Sequence, residues 1–242
     1  MKDLFKGINH LIKGVGLIMQ PRLRRFVLVP LGINVALFVA LIGLMGYWFG
    51  ELINYLLSFL PAWLSWLEYV LWPVFAATTL LLVFYTFALL ANLIAAPFNG
   101  LLAEAVEKHL TGQSLDDVGG WREALKDLWP SLKSELVKLR YFIIRAIPLL
   151  ILLIIPGINI VGTFLWLLFS AWMLTIEYMD YPMANHRLLF PEQQQRLKQR
   201  RLLGLGFGGS VTLLTMIPVV NFIAMPAAVA GATSAWVRDL KG

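Results

Sequence analysis

FVLVPLGINVALFVALIGLMGYWF, residues 26–49, is an unbroken apolar run with Pro21-Arg22-Leu23-Arg24-Arg25 directly before it. At about 1.5 Å per helical residue the run exceeds the roughly 30 Å hydrocarbon core of a bilayer. It therefore reads as a retained transmembrane helix, too long for the apolar core of a cleaved signal peptide. A second apolar stretch covers 70–98. Trp66, Tyr69 and Trp72 stand at its start as the aromatic belt of a membrane–water interface would. Between Phe26 and Phe98 there is no Lys or Arg, and Glu51 and Glu68 are the only charges.

All 20 basic residues lie outside that stretch. They precede it, appear again between Lys108 and Arg145, cluster from Arg187 to Arg201, and end with Arg238 and Lys241. Loops rich in Lys and Arg stay cytoplasmic. Both termini are thus expected in the cytoplasm, with the 50–69 loop outside. Composition agrees, since 59% of the 242 residues are hydrophobic and 14% charged, where a soluble domain carries about 25% charged. The net charge of +6 does not point to nucleic acid, because the basic residues flank apolar runs instead of covering a soluble face. With no cysteine, a disulfide framework, a thiolate metal site and a Cys nucleophile are excluded. His10, His109 and His186 lack zinc-ligand spacing, so neither a metal nor a cofactor is expected.

Residues 1–20 form a short amphipathic helix by spacing. Leu4, Phe5, Ile8, Leu11, Ile12, Val15, Ile18 and Met19 make an apolar stripe, with Lys2, Lys6, Asn9 and Lys13 largely off it. Such a helix is expected in the headgroup plane, its lysines near membrane lipids. Residues 99–141 read as a cytoplasmic, interfacial helical layer. Trp121, Leu125, Leu128, Trp129, Leu132 and Leu136 form its stripe, with a kink at Pro130 and a loop from Leu110 to Gly120.

Two more apolar blocks come next, 142–176 and 202–237, joined by a basic segment that belongs on the cytoplasmic side. Each block must leave and return on one side. Each carries a break of the same form, Ile155-Pro156-Gly157-Ile158-Asn159 and Ile217-Pro218-Val219-Val220-Asn221. The proline ends the helical ladder, and the Asn is expected to cap the helix after it. The arms before the breaks reach roughly 21–24 Å, short of a full crossing. Re-entrant, half-penetrating hairpins are therefore favoured over complete spans. The expected fold class is an all-α integral membrane protein with two long transmembrane helices, two Pro-broken re-entrant hairpins and amphipathic interfacial helices. Paired, interrupted short segments at corresponding places point to a transport path.

The candidate anion site is Arg22, Leu23, Arg24 and Arg25. Free amides and the positive end of a helix dipole beside guanidiniums suit a tetrahedral oxyanion. The same cluster also serves as a topogenic signal on lipid phosphates. Asn34, Asn92, Asn99, Asn159 and Asn221, with Glu104, are the candidate path-lining residues. A polar side chain within an apolar segment must face protein or a cavity, and helix–helix hydrogen bonding is the competing role for each Asn. Glu104, Glu107, Glu177 and Asp180 are expected to hold arginines in place or to carry a coupled proton. Gly204-Leu-Gly206-Phe-Gly-Gly209 spells a dinucleotide fingerprint, but no strand precedes it, and close helix packing explains it. No phosphate-binding GxxxxGK[ST] loop, Ser-His-Asp elbow or HExxH helix is spelled in the chain, so no enzyme is expected.

Several of these motifs together resemble the CysZ sulfate permease family. They are Arg24-Arg25-Phe26-Val27-Leu28-Val29-Pro30-Leu31 with Asn34, and Asn92 through Pro97 and Asn99 to Glu104. Further along come Leu168 to Leu174, Glu177-Tyr-Met-Asp180-Tyr-Pro182 with Asn185-His186, and Thr215 to Asn221 through Met225-Pro226. They fall in order along nearly the whole chain. The resemblance implies an inner-membrane homo-oligomer taking up sulfate for cysteine synthesis. It also implies a Gly-Leu-Arg-type sulfate motif before the first span. Arg24 and Arg25 fill its arginine positions, and Arg22 stands where the glycine would be. A non-transporting, lipid-interacting scaffold is the competing class.

Overall fold

The computed structural model describes residues 1–59, 61, 66–113 and 121–241. The side chains of 56, 57, 68, 82–96, 121–128, 218, 219, 221 and 222 lie outside that description. The described chain is helical apart from short turns. In order come α1 (Lys2–Ile18), α2 (Arg25–Ser58), α3 (Leu67–Thr111), α4 (Trp121–Ile154) and α5 (Asn159–Ala184). After them stand α6 (Phe190–Gln199), α7 (Arg201–Thr215), α8 (Pro218–Ala235) and a π-helical turn, Trp236–Leu240. The chain divides into two compact units, one of Met1–Val27 with Asn99–Gly242 and one of Leu28–Phe98.

In the Leu28–Phe98 unit, Phe49 of α2 stacks on Phe75 of α3 and meets Trp72 edge-on, with centroids 5.0 Å apart. Around them α2 shows bare apolar side chains, among them Leu28, Val35, Val39 and Leu44. Arg25–Tyr55 is long and apolar enough to cross a membrane, yet only 6% of its most apolar window is buried. In water that surface would be prohibitive. In lipid it is the expected exterior. Trp66, Tyr69 and Trp72 are exposed as well, which suits the aromatic belt.

The other unit is built on α1, which packs against α7 and α8. The contacts are backbone to backbone, because glycines stand where the helices cross. A Cβ on Gly7 would meet the Leu203 carbonyl and the Phe207 amide, and one on Gly206 would meet the Leu4 carbonyl. Further along α1, Gly14 faces the Ala227 carbonyl and Gly231. On the opposite face of α7, Gly204 lies against Trp172 and Thr175, and Gly208 against the Ala171 carbonyl, all of α5. The glycine run therefore does what helix packing demands. The stripe read on α1 divides. Leu11 and Ile18 turn inward with Gly7, His10, Gly14 and Leu17, whereas Phe5, Ile12 and Met19 remain exposed. The cause is size. Glycine lets the bundle approach on a face where periodicity counts only apolar bulk.

Helix boundaries differ from the block boundaries. The second apolar stretch continues past Phe98 to Thr111, where Gly112 at φ +75 ends α3 with its amide on the Lys108 carbonyl. The 142–176 block begins inside α4, which contains both Pro130 and Pro148. Both expected breaks are present, between Ile154 and Asn159 and between Thr215 and Pro218. Neither helix after a break shows a side-chain cap bond, since Asn159 is itself the first helical residue and α8 begins at Pro218. Gly157 at φ +85 turns the first break. In the second a proline at the first helical position suffices. Asn159–Ala184 is, like Arg25–Tyr55, long and apolar enough to cross a membrane.

Candidate functional site

Leu23 is the anchor of the basic turn. It is buried in the core of its unit, while Arg22, Arg24 and Arg25 around it are exposed. The turn is closed by the Leu23 and Arg24 amides donating to the Gln20 carbonyl, at 3.0 and 2.9 Å. The Phe26 and Val27 amides donate to the Leu23 and Arg24 carbonyls. These four amides are thus consumed by the turn, contrary to the expectation of free donors. Three guanidiniums splayed around a pinned leucine carry the positive charge instead. The Arg25 guanidinium lies 4.9 Å from the centre of the Phe26 ring.

The other candidate residues are dispersed. Asn34 in α2 has its Oδ1 buried with no partner among the described residues. Asn99 is buried, its Nδ2 donating to the Tyr181 hydroxyl at 3.4 Å and to Met225 Sδ at 3.2 Å. Glu104 is half-buried on α3, and Asn159 is exposed at the first turn of α5. The side chains of Asn92 and Asn221 lie outside the described residues. Of these candidates, among the described residues, Asn99 alone bridges helices.

A polar network that spacing could not reveal occupies the same unit as the arginine turn. Glu107, on a buried helical stripe with Ala103 and Val106, accepts from Lys241 Nζ at 2.6 Å and from His186 Nε2 at 2.9 Å. Beside His186, Asn185 Nδ2 donates to the Gly100 carbonyl of α3 at 3.0 Å. Lys138 Nζ lies 2.9 Å from Asp180, 3.0 Å from Glu135 and 3.5 Å from Glu177. Burial pulls the Lys138 ammonium down, but the charges of Asp180 and Glu177 outweigh it and hold it above its ordinary value. Of the carboxylates expected to hold arginines, Glu177 and Asp180 meet Lys138, and Glu107 meets Lys241 and His186. One sequence signal was available. Glu107 is an acid at a core position of an otherwise apolar stripe.

At the meeting of the chain's ends, His10 Nδ1 is 3.0 Å from Ser234 Oγ and its Nε2 2.8 Å from Asp239 Oδ2. Lys6 Nζ adds a bond to Asp239 at 3.1 Å. A Ser, a His and an Asp in sequence of contact are what a hydrolase uses, but Ser234 is 1% exposed, so no carbonyl carbon can reach its oxygen. The relay fastens α1 to the terminal π turn.

Long helices that bare their apolar faces, and charge gathered in one glycine-packed unit, define an integral membrane protein. The chain belongs to the family described as Sulfate transporter CysZ/Etoposide-induced protein 2.4, whose model matches residues 10–226. Among its relatives, a protein of Pseudomonas fluorescens (strain Pf0-1) is 49% identical over 98% of this chain and 94% of its own. One from Vibrio parahaemolyticus is 44% identical over 97% and 95%, and one from Pectobacterium atrosepticum 44% over 96% and 84%. Each of the three is named a sulfate transporter CysZ.

Proposed function

We propose that this chain is a sulfate permease of the bacterial inner membrane that supplies sulfur for cysteine synthesis. The observation that carries the reading is near-complete coverage, at 44–49% identity, by proteins named sulfate transporters. The geometry supports it with exposed Arg22, Arg24 and Arg25 at the start of the most apolar helix. Guanidiniums offer bidentate bonds to an oxyanion, and α2 adds the positive end of its dipole. Asn34, Asn92, Asn99, Asn159 and Asn221, with Glu104, would line the path beyond. Transport, not catalysis, is the role.

The two breaks would be the tips of half-penetrating hairpins. Supporting this, the first tip exposes Ile154, Ile155 and Ile158 and the second Met216 and Ile217, where a loop reaching outside water would be polar. The α7 arm, 15 residues, spans only about 22 Å. In α5 the exposed apolar part ends near Leu168, and Ala171, Thr175, Ile176 and Met179 beyond it are buried. Both termini and the 185–201 segment would then be cytoplasmic. The exposed stripe of Phe5, Ile12 and Met19 beside Lys2 and Lys6 suits lipid headgroups. Two spans and two hairpins are few helices to enclose a path, so a homo-oligomer is expected. Crosslinking in native membranes that returned monomers alone would remove it.

Moving a dianion inward against 100 mV costs about 4.6 kcal/mol, or more than three decades of concentration. Rapid consumption of sulfate inside, or a co-transported ion, must meet that cost. Substituting Arg24 and Arg25 together by Ala is expected to abolish sulfate binding by calorimetry while the protein still inserts. Unchanged affinity would remove the assignment. Radiolabelled sulfate flux into liposomes holding only this protein tests transport itself, and its absence would favour a membrane scaffold.

A further inference from the structure

We propose that Glu107 is a built-in occupant of a second anion site, and that a tetrahedral oxyanion takes its place between His186 and Lys241. The identity of the ion rests on the sulfate reading; the site itself does not.

The Glu107 carboxylate is presented as a bound anion would be. Its Oε1 receives Lys241 Nζ at 2.6 Å and His186 Nε2 at 2.9 Å, and its Oε2 lies 2.9 Å from the same Nε2. The glutamate is sealed, at 2% exposure, but its partners are not, with 43% of the Lys241 side chain and 21% of His186 open. An anion arriving from solvent therefore meets both donors before it meets the carboxylate.

The cluster also holds more donor capacity than one carboxylate uses. The Trp236 ring lies 5.3 Å from His186 and 5.2 Å from the Arg196 guanidinium. Its Nε1 is a buried donor with no partner among the described residues. Arg196 is committed through one nitrogen, Nη1, to the carbonyls of Leu240 and Lys241. A carboxylate offers two oxygens. A tetrahedral dianion offers four, and could satisfy donors that Glu107 leaves idle. A plain strut between α3 and the terminal turn, once its carboxylate was neutralised, would draw anions only weakly and with no fixed stoichiometry.

The test is sodium sulfate calorimetry on the detergent-purified full chain at constant ionic strength. Glu107→Gln keeps the shape and frees Lys241 Nζ and His186 Nε2. It is expected to bind one more sulfate per chain, or to bind at least about tenfold tighter, the worth of one charge-assisted bond. Adding Lys241→Met should return the parent isotherm. Adding Arg24→Ala and Arg25→Ala instead should leave the gained site in place, which separates this proposal from the outer assignment. An isotherm unchanged by Glu107→Gln, or a gain that survives Lys241→Met, overturns it. If Glu107→Gln does not stay monodisperse, Lys241→Met alone decides. Sulfate flux should fall several-fold with binding at the arginine turn intact, and flux equal to the parent overturns the proposal. Absence of flux in the parent would remove the transport reading and leave the calorimetric comparison standing.

Discussion

Among the described residues, the buried ionisable side chains His10, Glu107 and Lys138 each have ionisable partners, and the pairing sets how the chain responds to pH. Burial pushes the His10 imidazole below its ordinary value, and the nearby Lys13 and Arg238 charges add to this. The bond to Asp239 pulls the other way without prevailing. Between the lowered native value and the ordinary value of about 6.5, the unfolded chain holds a proton that the folded chain does not. Stability contributed by neutral His10 is therefore present above that window and is lost as pH falls through it. Burial would raise Asp239, but its bonds to His10 and Lys6 hold it low, so its own contribution fails only at still lower pH. Melting in detergent should drop from pH 7 to pH 5, and His10→Gln should flatten that slope. An equal slope in the variant would show that another group titrates. None of this was legible in the sequence. His10, Ser234 and Asp239 are brought together by the fold from opposite ends of the chain.

At the level of single helices, glycine placement decides what can pack. A side chain on Gly206 would collide with the backbone of α1 at Leu4, whereas nothing stands within 4 Å of a Cβ on Gly16. Gly206→Val should therefore cost about 1–3 kcal/mol or more, as overpacking does. Gly16→Ala should be neutral or stabilise by about 0.4–1 kcal/mol through helix propensity. Denaturant titration in mixed micelles reads both, and equal effects would sink the packing account. Helix packing through Gly204 and Gly208 was readable beforehand, because small residues four apart on an apolar helix have few other uses. The inward face of α1 was not readable, since a stripe containing Gly7 and Gly14 scores as weakly apolar beside Phe5 and Ile12. The two breaks were readable from their prolines. The capping role given to Asn159 and Asn221 was not, as Gly157 in one break and Pro218 in the other set where the helix begins.

For the molecule as a whole, the distribution of Lys and Arg foretold an all-helical membrane protein, and the bare surface of α2 agrees. The arrangement across the bilayer is open to a direct test, because the chain has no cysteine and single cysteines can be placed without background. Ser58→Cys should react with an impermeant maleimide from outside, and Gln195→Cys only after the inner face is opened. Ile155→Cys and Ile217→Cys, at the tips of the proposed hairpins, should resist the reagent from both sides. Labelling of Gln195→Cys from outside would overturn the layout, and labelling of either tip from outside would turn its hairpin into a full crossing. The proposed anion site is legible as a basic cluster before an apolar run, and the structure leaves its three arginines exposed. The Glu107 network was not, since residues 107, 186 and 241 share no spacing.

The wedging of α1 between α7 and α8 has a consequence for how the protein is made. Lys6 and Asp239 are separated by 233 positions, so α1 finds its seat only after α7 and α8, which it packs against, have been synthesised. Until then it must wait, and its exposed Phe5, Ile12 and Met19 can hold it on the membrane surface meanwhile. Assembly of the glycine-packed unit therefore comes late, and a ribosome stalled before residue 201 would leave α1 with nowhere to dock.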